Sequence, residues 1–253
     1  MRIVSLCPSI TEILVALKSE DQLVGVSEAC EIGEKRIERL GSPKAIQFSK
    51  LDLLAPEWIL ADTQDHRPED VQRLQKKWKT KLFEVRSIQD VRDTVAELGK
   101  LLERREEARG LNQEIQKEAA LNQERFPENS RKRTVLLLWN QPAMTVNFDT
   151  YASRLLEACG GVNVFRQEPV REFFVEPEDM IEKNPEVLLL SGSPGGPFQS
   201  RHKALFRQLR VFSKIPIHLV EGKLFTRYGL QTIEALRRLR EIYTEAMSPC
   251  EKV

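Results

Sequence analysis

Two cysteines and a histidine occupy comparable places in the first third of the chain. Cys7 follows the run RIVSL (residues 2–6), Cys30 follows LVGVS (23–27), and His66 follows WILAD (58–62). Each run is short and rich in apolar and β-branched residues, the pattern of a strand. If the strands are parallel, the three side chains approach one rim, where thiolate and imidazole suit a soft metal or the cobalt of a corrinoid. The alternative is that the cysteines are small buried apolar groups. Cys159 sits beside a helix-ending glycine pair and reads as packing, and Cys250 lies in a polar tail. The loop CPSIT (7–11) leads into a helix whose free N–H groups favour a carboxylate, amide or phosphate, so Cys7, Pro8 and Ser9 join the ligand candidates. Ser27 and Cys30, at the end of the next strand, join them too. Ser9 is also explained as a plain helix cap, with Glu12 three residues later completing a capping box.

The second half carries a different chemistry. Trp139, Asn140 and Gln141 follow the strand TVLLLW (134–139), with Phe148 and Tyr151 slightly beyond. An aromatic ring beside amides suits a flat, amide-decorated macrocycle, with stacking for area and amides for orientation. Core packing is the competing explanation for Trp139. Phe173 and Phe174 are successive aromatics in VREFFVEP. Neighbours on extended backbone point to opposite sides, so at least one of the two, taken as Phe174, is expected to face the ligand cleft.

Catalytic signatures are sparse. The chain has three histidines (66, 202 and 218), with no GxSxG, P-loop, dinucleotide-binding glycine pattern or CxxC. SGSPGGP (191–197) is glycine-rich, but its prolines and the lack of a Lys-Ser/Thr pair argue for a loop rather than a phosphate cradle. With 39 Lys+Arg against 38 Asp+Glu in 253 residues, the net charge of +1 gives no global field for nucleic acid or an anionic membrane. No apolar stretch approaches the roughly 20 residues needed to span a bilayer, so no membrane insertion is expected. Four cysteines without paired spacing do not form a disulfide framework.

The elements that must position these residues alternate. Strands at 2–6, 23–27, 58–62 and 81–85, with a helix at 67–78 opened by Pro68, indicate a parallel sheet covered on both faces. Residues 87–126 run without proline, with Ile88, Val91, Val95, Leu98 and Leu102 at helical spacing. As one helix the stretch would be about 60 Å long, too long for one domain. Strands at 134–139, 187–192 and 217–221 and helices at 149–161, 176–184 and 231–247 follow. The expectation is an α/β protein of two Rossmann-like lobes with parallel sheets joined by one long α-helix. The lobes would be 1–86 and 128–253, the helical linker 87–127, and the ligand cleft would lie between the lobes.

Taken in order, RIVSLCPSITEILVAL, LVGVS, LLAPEWILAD, SIQDVRDTVAELGKLL, LLEACGGVNVF and EDMIEKNPEVLLLSG span nearly the whole chain. The ordered set resembles the class III, helical-backbone substrate-binding proteins of ABC importers for cobalamin, haem and iron siderophores, with its closest look to the cobalamin binders. The resemblance implies a non-enzymatic, monomeric binding protein that needs no cofactor and carries a corrinoid or haem-like ligand. LFTRYGLQ (224–231) is similar to the family's segment contributing a ligand-facing arginine, which assigns that role to Arg227, flanked by Phe225 and Tyr228. Glu178 matches the acidic residue with which periplasmic members dock on an ABC permease, whereas Ser49 stands at the corresponding first-lobe position. Asp62 takes the place of one corrin-stacking tryptophan, and Pro43 and Glu172 lie near two others. An alternative of another class is a cytosolic metal chaperone or chelatase-like protein using Cys7, Cys30 and His66 as metal ligands. Pro8, Ser9, Thr11 and Glu12 interrupt any secretory h-region, so the expected location is cytoplasmic as written, and periplasmic if a leader has been removed.

Overall fold

The computed structural model describes residues 1–33, 37–192 and 196–247; Cys250 and three residues of the glycine-rich stretch, 193–195, lie outside them. The chain forms two compact units. One comprises Met1–Val85, Gln89–Gln113 and Arg227–Leu230, and the other Arg86–Ile88, Glu114–Thr226 and Gln231–Val253.

The first unit is built on a five-stranded sheet, in spatial order Glu38–Arg39, Leu23–Val26, Ile3–Ser5, Trp58–Asp62 and Thr80–Phe83. Every neighbouring pair is parallel. Ile3, Val4, Val26, Ile59 and Leu60 are fully buried, as expected of strands covered on both faces. Helix Pro68–Lys77 starts with proline where no N–H is needed. It places Glu69 and Asp70 in its first turn and Lys76 and Lys77 in its last, complementing the helix dipole.

The helix after the first strand corrects the sequence expectation of a Ser9 cap. It spans Pro8–Ala16 with Cys7 as its N-cap and Pro8 in the first turn, and the cap makes no side-chain hydrogen bond. Proline's fixed φ starts the helix earlier than a Ser9 cap would allow.

The expected uninterrupted 40-residue helix is two helices, Ile88–Leu101 and Arg105–Arg125. Glu103 takes a left-handed φ of 58°. The Arg104 N–H then donates back to Gly99 O at 2.8 Å, the six-to-one closure of a Schellman turn. The second helix folds back on the first, with Asn112 Nδ2 donating to Arg92 O at 2.8 Å. Gly99 permits the approach, because a Cβ there would lie 2.3 Å from that of Ala108. The 21-residue second helix is about 31 Å long.

The second unit has a four-stranded parallel sheet in the order Gly161–Asn163, Lys132–Leu137, Val187–Gly192 and Ile217–Glu221. Val135, Leu137, Leu188, Leu190, Phe198 and Phe212 form the centre of its core. Helix Leu230–Met247 is anchored to this unit. Tyr243 OH meets Thr134 Oγ1 at 2.9 Å, and Arg237 and Arg240 grip the buried Glu118 at 2.9 and 2.7 Å. A three-stranded antiparallel sheet, in the order Glu172–Phe174, Ala143–Val146 and Trp139–Asn140, extends from the carboxyl end of Lys132–Leu137. The expected strand 134–139 ends at Leu137, and Trp139 belongs to the next one. Here a hairpin turning at Gln141–Pro142 pairs Trp139 with Met144.

Candidate functional site

In the first unit the chain connections reverse direction at strand Ile3–Ser5, which pairs with Leu23–Val26 on one side and Trp58–Asp62 on the other. Ligands of open α/β sheets bind outside the carboxyl ends of strands at such a switch point. Cys7 and Asp62 stand at those two carboxyl ends, and Tyr228 joins them. Its hydroxyl donates to Asp62 Oδ2 at 2.9 Å and lies 3.8 Å from Cys7 Sγ, and its backbone N–H donates to Ser9 Oγ at 3.2 Å. Asp62 Oδ1 accepts the Gln64 N–H at 2.7 Å, and His66 Nδ1 lies 2.8 Å from Asp62 O.

This cluster is buried and poorly suited to nucleophilic or metal chemistry. Burial, reinforced by the Asp62 charge, pushes the Cys7 thiol up to about 12, so the thiolate needed for either role is scarce at neutral pH. Burial also raises Asp62 above the usual carboxylate range, although the Gln64 and Tyr228 hydrogen bonds oppose it. Tyr228 rises well above the ordinary phenol value through burial and the neighbouring Cys7 and Asp62. Cys30 is occupied separately: Thr11 Oγ1 donates to its sulfur at 3.1 Å, and Ser27 Oγ lies 3.1 Å away. Among the described residues no group of three His, Cys, Asp or Glu side chains could hold a metal ion. The expectation that Cys7, Cys30 and His66 converge as metal ligands is therefore corrected. The strands do place them along one rim, but Cys7 faces the Tyr228 hydroxyl, His66 Nδ1 the Asp62 carbonyl, and Cys30 the Thr11 and Ser27 hydroxyls.

Arg227 is held by two carboxylates, Glu12 at 2.8 Å and Glu31 at 2.9 Å. Ser9, Ser27 and Cys30 are buried, and Pro8 is half-buried. The rim's accessible chemistry is consequently polar and acidic at Glu12, Glu31 and Arg227, while Cys7, Ser27, Cys30 and Tyr228 support it from beneath. Asp62, which sequence reasoning had noted only as a missing tryptophan, is the hub of this support. Its signal was its place as the last residue of an otherwise apolar strand.

The second unit presents the aromatic chemistry. Met144 is the direct cross-strand partner of both Trp139 and Phe174, so the three side chains share one face of the antiparallel sheet. Trp139 is 52% exposed and Phe174 64%. Phe173 and Thr145 pair on the opposite face. There Phe173 meets Phe165 edge-on at 5.7 Å, and Thr145 Oγ1 donates to Leu136 O at 2.7 Å. The Trp139–Met144–Phe174 face thus presents two exposed aromatic rings, with the Val146–Glu172 pair, one residue buried and one exposed, further along it. Met144 was missed from sequence, since only strand register places it between the rings.

Gln141 is exposed at the hairpin turn, and Asn140 Nδ2 lies 3.2 Å from His202 Nε2. Phe148 is exposed beneath the Arg154 guanidinium, 5.0 Å from the ring centre. Phe225, expected at the ligand, is instead 2% exposed in helix Lys223–Thr226, with no surface to offer. Its apolar ring is consumed by packing within the second unit. Glu178 is exposed in the first turn of helix Pro177–Glu182. A cavity of about 310 Å³ lies at the carboxyl ends of Val187–Gly192 and Ile217–Glu221, lined by Gly192, Phe198, Gln199, Leu219 and Glu221.

Comparison with known proteins agrees with this architecture. Residues 3–217 match a family described as periplasmic binding protein. The chain is 26% identical over 195 residues to the vitamin B12-binding protein of Yersinia pestis (strain Pestoides F), covering 76% of this chain and 70% of that one. It is 24% identical over 196 residues to that of Photorhabdus laumondii, covering 76% and 71%. Among solved structures, the periplasmic vitamin B12-binding protein of Vibrio cholerae superposes with a TM-score of 0.83 at 22% identity over 98% of both chains. The periplasmic haem-binding protein of the same organism superposes with a TM-score of 0.79 at 20% identity, over 96% of this chain and 98% of that one. Among the described residues no helix is long and apolar enough to cross a membrane.

Proposed function

We propose, from the premise that this chain belongs to the periplasmic binding protein family, that its cargo is a corrinoid or a related metal-bearing macrocycle. The protein is a substrate-binding protein and not an enzyme, as its family is. The macrocycle is cargo rather than a resident cofactor.

The observation that carries the choice of ligand is the row Trp139–Met144–Phe174, exposed at its two aromatic ends and half-buried at Met144. A flat ring system covers all three side chains at once and removes their apolar surface from water, which the unit's own core does not do. Gln141, exposed at the turn of the same sheet, supplies a polar contact suited to a peripheral amide. The vitamin B12-binding relatives support the corrinoid over other macrocycles. Delivery to an ABC permease follows in this reading, with the exposed Glu178 as a docking contact.

The test is the ligand the protein carries. The protein is purified from cells supplied with cobalamin and haem precursors, denatured, and the supernatant analysed by mass spectrometry and absorbance. The expected result is a near-stoichiometric corrinoid or porphyrin mass. A carried ligand that is small, acyclic and metal-free would overturn the proposal.

A further inference from the structure

Resting on the macrocycle reading above, we infer that the Met144 thioether is an axial donor to the metal of the bound ring. The geometry comes from strand register. Phe174, Met144 and Trp139 lie opposite one another on three successive antiparallel strands. Neighbouring strands are about 4.8 Å apart, so the row spans about 10 Å with Met144 at its centre. That width is comparable to a tetrapyrrole ring. A ring centred on the row lays its outer pyrroles over the indole and the phenyl, and its metal falls over Met144.

The chemistry of the central residue fits that place. A purely stacking surface is served by any apolar side chain, whereas thioether sulfur adds a soft lone pair that binds low-spin iron and cobalt. Methionine's three rotatable bonds let the sulfur find the metal without moving the backbone. The strand itself is fixed from its other face by Thr145 Oγ1 on Leu136 O at 2.7 Å, and in the plane of the sheet by the Leu138 N–H on Met144 O at 2.9 Å. Binding is a ligand exchange: the sulfur lone pair replaces a water or other weak axial ligand on the metal, with no change of oxidation state. The buried cysteines do not compete for this role, because each is hydrogen-bonded within the first unit or, for Cys159, enclosed beside Asn122.

The experiment titrates the full chain with haemin and, separately, with cobinamide, whose lower axial position is open. Wild type is compared with Met144→Leu, which keeps apolar bulk without sulfur, and Met144→His, which substitutes a nitrogen donor. Circular dichroism confirms that each variant is folded. With haemin, wild type is expected to show the near-infrared thioether-to-iron charge-transfer band in magnetic circular dichroism. Met144→Leu should bind but lose the band and lower the haem reduction potential, since thioether ligation raises it. Met144→His should replace the band with a nitrogen-donor signature. Superimposable wild-type and Met144→Leu spectra, with the ring bound in both, would overturn the axial role and leave the macrocycle reading standing. No binding of either ring by wild type would overturn both.

Discussion

Replacing Tyr228 with Phe removes one hydroxyl and nothing else, yet that hydroxyl is a hydrogen-bond donor to a buried carboxylate. Tyr228 OH reaches Asp62 Oδ2 at 2.9 Å, and both residues are at most 5% exposed. A hydrogen bond to a charged group contributes about 1.5–3 kcal/mol, so Tyr228→Phe should destabilise the protein by that amount at neutral pH. For a chain of this size unfolding as a whole, that corresponds to a fall in Tm of roughly 3–12 °C.

The pH dependence is the sharper part. Asp62 titrates above its ordinary value because burial outweighs its hydrogen bonds. A raised acid weakens the fold when ionised: its contribution is fully present below the unfolded pKa and is lost as pH rises through the folded one. Tyr228 opposes the rise, so its loss lifts the Asp62 pKa further and enlarges the cost of ionisation. The deficit of Tyr228→Phe should be greatest at pH 7.5. It should shrink toward that of a neutral pair, about 0.5–1.5 kcal/mol, as pH falls toward 4. Urea unfolding of both proteins across that range measures it. A deficit that stays constant or grows on acidification would refute the reasoning.

Two further outcomes follow from the same structure. Glu118→Gln should cost about 1–3 kcal/mol by leaving Arg237 and Arg240 without their charged acceptor. Burial pushes Glu118 up, but the two arginines hold it below the usual range, so its contribution is present above the unfolded value and lost as pH falls, opposite in sign to Asp62; chemical unfolding against pH reads the difference. Cys7, with its thiol pushed up to about 12, should be about one part in ten thousand thiolate at pH 8. Peptide mapping after iodoacetamide should find it unmodified in native protein and modified in urea, and native modification would contradict its enclosure.

The parallel sheets were legible because each strand is a short apolar run ended by a breaker. WILAD became strand Trp58–Asp62 residue for residue, and VLLLSG became Val187–Gly192. The turn at Glu103 was not, because helix formers surround it and the left-handed residue is neither Gly nor Asn. Only Gly99, admitting Ala108, hints at it. Within the candidate site, residue type found Trp139 and Phe174, since large aromatics beside loops stand out. Met144 stayed hidden because its meaning depends on which residues it pairs with across strands. The cysteines misled for the converse reason. Strand ends placed them along one rim, but side-chain direction and burial, which no spacing encodes, gave each sulfur different neighbours.

Isothermal titration of the ligand-free protein with cyanocobalamin and with haemin goes straight to what this molecule holds. Saturable binding of at least one ring at one per chain, weakened by Trp139→Ala in a variant that remains folded, is the predicted result. Absence of heat and of any absorbance change with both rings, from protein shown to be folded and empty, would contradict it.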